Sequence, residues 1–297
     1  MSKLGAPSYQ VKVALSKLER FGHSKHKAKR QGTAESGIYS HSTRRDYQRD
    51  CSRFAAWARE QHGVRDIRNL TPAMAREYLD GLAAKGRSGN YLGRIKAAIG
   101  KLSIALHGKK WDLGSTWHGD RQPERAYTPQ QAVRVEQNVR QHARDKQTAD
   151  VVKLQRIAGL RRKEAVYLRG QDIDAERCVL RLSVGTKGGR IREVPVDAKH
   201  RDYLRSLKER AEKSKDGHVF RGRGGLANRT ERAVSNACKR LGLTGYATHG
   251  FRKMFAQARY RAYRHQGLTD RQARVEVARL LGHGRIEVTY SYVAREN

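Results

Sequence analysis

A chain of 297 residues is long enough for two domains with separate cores, and a 37% hydrophobic content argues for a folded protein and against a disordered one. No apolar run reaches bilayer length and no apolar signal block opens the chain, so a cytoplasmic protein is expected and a membrane partner is not. Lys and Arg number 63 against 29 Asp and Glu, a formal charge of +34 and a pI near 10.7, and the excess is spread along the chain. Such a surface concentrates a polyanion. No long basic helix carries a strong apolar face, which favours nucleic acid over an anionic membrane. Cys51, Cys178 and Cys238 are far apart with no CxxC spacing, so neither a disulfide framework nor a zinc site is expected.

In chain order, a helical piece over about residues 8–20 leads into HSKHKAKRQGTAESG, and residues 1–40 read as a basic N-terminal arm and linker. Residues 41–110 read as a small all-helical domain with basic outer faces. Ser42 is placed to cap a first helix, on which Tyr47, Cys51, Phe54 and Ala55 share a face. Thr71 and Pro72 supply a cap and a first-turn proline for a second, with Ala75, Tyr78, Leu79 and Leu82 inward. Leu92, Ile95, Ile99, Leu102 and Leu106 mark a third. Residues 111–127 read as a linker, and Thr128-Pro129 opens a helical stretch to about Leu168. Two strands then flank Gly188-Gly189: Val179, Leu180, Leu182 and Val184, then Ile191, Val194 and Val196. Helices resume, with GRGG at 222–225 as a loop. The expected fold is mainly α with a small β-hairpin, an α+β domain over residues 128–297 behind the helical domain.

Four stretches of that second domain carry groups able to do chemistry. In GLRRKE a Gly-Leu turn precedes Arg161, and Glu164 can bond back to it or brace its side chain. GTKGGR presents Lys187 between glycines. In THGFRKMF, Thr248 is placed to cap a helix on which His249 and Arg252 share one face. LLGHGRIEVTYSYV holds His283, Tyr290 and Tyr292. Singly, each has a plainer explanation: solvated arginine, hairpin chemistry, a histidine ending a helix. Their order and combination do not.

Together GLRRKE, GTKGGRIREVPV, HGFR, LLGH and the closing YSY resemble the tyrosine recombinases of the phage integrase family, over about residues 128–297. The preceding helical domain is similar to that family's core-binding, DNA-gripping domain. The resemblance implies Arg161 and Arg252 as a phosphate-clamping pair and Glu164 as the acidic support of the first. It implies Lys187 as the hairpin lysine, and His249 and His283 as the two histidines. The nucleophile lies nine residues past the second histidine, which is Tyr292. Two departures stand out: Lys253 replaces a histidine common after His-x-x-Arg and is given no catalytic role, and the stretch from Arg252 to LLGH is longer by about two helical turns.

The chemistry needs these residue types. Exchanging strands without losing phosphodiester energy requires a covalent intermediate, so a side-chain oxygen attacks phosphorus. A phenol, with a pKa near 10, needs a base or cationic neighbours. Paired guanidiniums meet the charge gathering on the non-bridging oxygens. Lys187 is suited to protonate the leaving 5′-oxygen, and no metal or cofactor is expected. The resulting expectation is a site-specific DNA recombinase or integrase of a mobile element, bound to double-stranded DNA as a homotetramer on synapsed sites. DNA-bending accessory proteins and a bacterial nucleoid location go with it. Two alternatives share the fold or the chemistry: a catalytically silent architectural or regulatory DNA-binding protein, and a type IB topoisomerase-like enzyme. The intact residue set argues against the first, and the helical N-terminal domain against the second.

Overall fold

The computed structural model describes residues 5–114, 125–184, 191–283 and 285–293, the side chain of His26 excepted. The chain divides into two compact units, Met1–Arg121 and Gln122–Asn297. Among the described residues, no helix is long and apolar enough to cross a membrane.

The first unit consists of helices α1 (Pro7–Ser16), α2 (Lys25–Arg30), α3 (His41–His62), α4 (Pro72–Ala84) and α5 (Gly89–His107). Local chemistry sets their ends. The Ser40 hydroxyl, not that of Ser42, caps α3 by accepting from Thr43 N; Thr71 and Ser88 cap α4 and α5 in the same way. Gly63 and Gly108 end α3 and α5 at φ 66° and 70°. Cys51, Phe54, Leu79, Ile95, Ile99 and Leu102 fill the core from the faces that periodicity marks.

Residues expected in the arm also enter this core. Val11, Ala14, Leu15 and Leu18 recur at helical spacing and are buried, as is Ile38. Arg44 of α3 reaches under α1, donating to Glu19 Oε1 and to the Lys12 carbonyl, each at 2.8 Å. Arg20 N and Ile38 N bond across at 2.9 and 2.7 Å to Ile38 O and Leu18 O, closing the loop that holds α2.

The second unit contains α6 (Pro129–His142), α7 (Lys146–Ala158), α8 (Arg162–Val166), strands β1 (Ile173–Asp174), β2 (Val179–Leu182) and β3 (Arg192–Pro195), then α9 (Arg201–Glu212), α10 (Arg223–Arg240), α11 (His249–His265) and α12 (Asp270–Leu280). Thr128 opens α6 with a capping box to Gln131. The glycines at 222–225, expected as a loop, instead start α10, with Gly222 as its N-cap. Central α7 buries Val151, Val152, Leu154 and Ala158. The stretch between Arg252 and His283 forms the rest of α11, which buries Phe255, Ala256 and Tyr260, and α12, which buries Ala273 and Val277.

The sheet is antiparallel in the order β1-β2-β3, with Leu180 opposite Val194 and Leu182 opposite Arg192. Side chains alternate across a strand, so the buried face takes Leu180 and Leu182 from β2 and Arg192 and Val194 from β3. Ile191 is exposed, and Arg192 occupies the inward position. A buried arginine demands a partner, and that demand leads to the site.

Leu15→Ala tests whether α1 belongs to the first unit's core. Removing a fully buried leucine side chain should lower stability by about 2–5 kcal/mol, read by urea denaturation followed through Trp57 and Trp111. An unshifted midpoint would show that α1 is dispensable to this core.

Candidate active site

The site is built on three turns that end or begin helices. α7 stops at Gly159, in the left-handed region at φ 60°, where Gly159 N still bonds to Gln155 O at 3.0 Å. A Cβ there would lie 2.5 Å from the Phe255 ring, so conformation and packing both require glycine. The Gly159-Leu160 turn delivers Arg161 to the start of α8. Glu164, three residues on, bonds back in two ways: Oε2 accepts from Arg161 N and Oε1 from Arg161 Nη1, each at 2.7 Å.

The same carboxylate receives the buried arginine of β3. Arg192 donates through Nη1 and Nη2 to the two Glu164 oxygens at 3.1 and 2.7 Å, and its Nε reaches Leu280 O at 2.7 Å. Arg252 Nη1 lies 3.8 Å from Glu164 Oε2. Burial alone would raise the pKa of Glu164. The Arg192 hydrogen bonds and charge, the Arg252 charge and the Arg161 amide outweigh it and bring the value down to about 2. Glu164 is therefore a permanent anion among three guanidiniums.

Arg252 occupies the first turn of α11, three residues after His249. Its side chain is buried and donates to Gly159 O at 2.7 Å and to Leu281 O. One guanidinium thus ties the turn before Arg161 to the turn before His283. Burial and the Arg161 charge lower its pKa to about 10, which leaves it charged at neutral pH. Thr248 makes no side-chain cap to α11; at φ −55° and ψ −29° it already has helical geometry, unlike the extended residues that cap with a hydroxyl.

The Leu-Gly-His stretch is a helix stop. Gly282 N bonds to Arg279 O at 3.0 Å and His283 N to Ala278 O at 2.8 Å, the paired pattern that closes a helix on a left-handed glycine at φ 62°. A Cβ at Gly282 would meet Arg192 Nη1 at 2.9 Å, so the glycine also admits the β3 arginine.

A 3₁₀ segment, Ile286–Ser291, then returns the chain to α11. With about three residues per turn, positions 290 and 292 face about 240° apart. The structure separates them accordingly: the Tyr290 ring lies on α12, whereas Tyr292 is buried with its hydroxyl 2.7 Å from His249 Nε2. The Tyr292 ring centroid lies 5.3 Å from that of His249 and 5.1 Å from that of His283. Burial first, and then Arg252, lowers both imidazoles, His249 to about 4 and His283 to about 3. Both are neutral at pH 7, so His249 Nε2 is able to take the phenol proton. Five of the expected residues, Arg161, His249, Arg252, His283 and Tyr292, thus surround one place with Glu164 beneath them. Lys187 lies outside the described residues.

Arg192 is the site residue that sequence reasoning passed over. A signal was present, because counting back by twos from Val196 and Val194 lands on Arg192.

Known proteins resemble the chain in sequence pattern and in fold. Residues 34–109 match the sequence pattern described as "Phage integrase, N-terminal SAM-like domain". No curated protein matches the sequence significantly. Among solved structures, the XerH site-specific recombinase bound to difH substrate in a pre-cleavage complex superposes with a TM-score of 0.65 at 15% identity, covering 99% of this chain and 92% of that one. The Tn1549 transposon integrase in complex with transposon right end DNA gives 0.63 at 16% identity, with coverages of 97% and 95%. A lambda integrase dimer bound to a COC′ core site gives 0.61 at 16% identity, with coverages of 91% and 76%. Residues 125–297, more than half of the chain and the part that holds every residue of the site, match the phage integrase family, and the chain belongs to that family of tyrosine recombinases.

Proposed function

We propose that the protein is a site-specific DNA recombinase or integrase that cuts and rejoins strands through Tyr292. The observation that carries this reading is the 2.7 Å contact between the Tyr292 hydroxyl and His249 Nε2, made within one chain beside Arg161 and Arg252. In this reading the Tyr292 oxygen attacks the scissile phosphorus as its proton passes to neutral His249. The bond to the 5′-oxygen breaks, leaving a 3′-phosphotyrosine and a 5′-hydroxyl. Arg161 and Arg252 offer planar donors to the non-bridging oxygens, and His283 supplies a further hydrogen bond. Lys187 is assigned the proton for the departing 5′-oxygen. The reverse sequence, with a 5′-hydroxyl from a second duplex, joins strands without an external energy source.

The formal charge of +34 supports double-stranded DNA as the partner. The similar solved structures bound to difH, transposon-end and core-site DNA point the same way. The functional division assigned is a basic segment over residues 1–40 whose α1 packs into the first unit's core, a DNA-gripping unit over 41–110, a linker over 111–127 and the catalytic unit over 128–297. Pairing two duplexes calls for four protomers across a synapse, with DNA-bending accessory proteins in the bacterial nucleoid.

Incubation with a nicked suicide duplex should trap a covalent protein–DNA adduct. Tyr292→Phe should abolish the adduct, and Tyr290→Phe should keep it within a few-fold; the opposite pattern would assign the nucleophile to Tyr290. The rate should also be insensitive to mild acid. With His249 titrating at about 4, the base stays neutral and single-turnover cleavage should fall less than about twofold between pH 7.5 and 5.5. A base at the ordinary histidine value near 6.5 would lose about tenfold over that range, and such a loss would remove His249 from the role.

A further inference from the structure

Arg274 of α12 is fully buried, yet it is no part of the site described above. Its Nε donates to both oxygens of Asp270, each at 2.9 Å and one helical turn earlier, which offsets the charge inside the fold. Asp270 also accepts from the Tyr260 hydroxyl at 2.6 Å, so the carboxylate is itself fixed. Arg274 Nη1 then reaches out of its own helix to Val293 O at 3.0 Å, the residue after Tyr292. Gln257 of α11 does the same one residue earlier, donating from Nε2 to Tyr292 O at 3.1 Å. The guanidinium carbon sits 4.3 Å from the centre of the Tyr290 ring and 5.1 Å from that of Tyr260. Tyr290 therefore stacks on the cation with one part of its ring and remains 38% exposed.

An aliphatic side chain at position 274 would fill this space without a buried charge. What arginine adds is direction: a donor aimed at the backbone beside Tyr292 and a flat cationic face for Tyr290. We propose that Arg274 is a positioning residue for the nucleophile. Arg274 and Tyr290 latch the tyrosine-bearing segment onto α11 and α12 of its own protomer and so set the Tyr292 hydroxyl against His249. The latch rests on the reading of Tyr292 as the nucleophile. It also accounts for the second tyrosine of the YSY sequence, because Tyr290 holds the segment whose other side chain reacts.

Two reactions separate positioning from general structural support. The first is single-turnover adduct formation on a nicked duplex selected by the wild-type protein from a randomised pool. The second joins a 5′-hydroxyl strand to a duplex end carrying a 3′-p-nitrophenyl phosphate. There the 5′-oxygen bonds to phosphorus, nitrophenolate leaves, and no tyrosine is needed. Arg274→Met should slow adduct formation by about a hundredfold, the loss expected when a reacting atom is displaced by about 1 Å. Joining should stay within about threefold, since Arg161, Arg252 and the histidines are untouched. Arg274→Lys, which keeps the charge opposite Asp270, should recover about tenfold of the loss. At the half-exposed Tyr290, where folding is not at risk, Tyr290→Ala should slow adduct formation by about tenfold and Tyr290→Phe by less than twofold. Equal losses in both reactions for Arg274→Met and Tyr290→Ala, or wild-type adduct rates in both variants, would overturn the latch. An adduct formed by Tyr292→Phe would instead remove the underlying nucleophile and leave these comparisons to be read against another residue.

Discussion

The site depends on one buried carboxylate. Arg161, Arg192 and Arg252 come from the turn after α7, from β3 and from α11, and their like charges would drive these elements apart. Glu164 accepts from the first two and lies 3.8 Å from the third. Its own burial is tolerable because the arginines hold it ionised. The balance, three cations around one anion, leaves a fixed positive site suited to a phosphodiester, assembled before any substrate arrives.

That excess charge governs the rest of the chemistry. Burial first, and then this charge, keeps His249 and His283 neutral, and a neutral imidazole beside a phenol accepts a proton where an imidazolium could only donate one. The clamp also takes its geometry from backbone. Arg252 is held by the carbonyls of Gly159 and Leu281, and Arg192 by the carbonyl of Leu280, so the two arginines are aimed by the same turns that place Arg161 and His283. Glycines 159 and 282 each stop a helix and at the same time leave room for a side chain from elsewhere.

Much of this was legible locally. Glu164 follows Arg161 by three residues and bonds back as a helix start allows; His249 and Arg252 share a face; Leu-Gly-His ends a helix. Other features were hidden by composition. The basic run from 23 to 30 drew residues 1–40 toward an arm, although Val11, Leu15 and Leu18 carry a core stripe among the charges. On the second strand the apolar residues Ile191, Val194 and Val196 draw the eye, yet side-chain alternation puts Arg192 on the buried face with Val194 and leaves Ile191 exposed.

The sequence by itself determined the family, the helical domain followed by an α+β domain, and the order and spacing of the candidate site's side chains. Those follow from helix periods, turn residues and short motifs, which act over a few residues. Only the tertiary structure decided which groups meet. Arg192 lies 28 residues from Glu164, Arg252 lies 93 residues from Gly159, and Arg274 reaches Val293 over 19. No local pattern encodes such pairings, because a buried charge is satisfied by whatever partner the packed elements bring within about 3 Å.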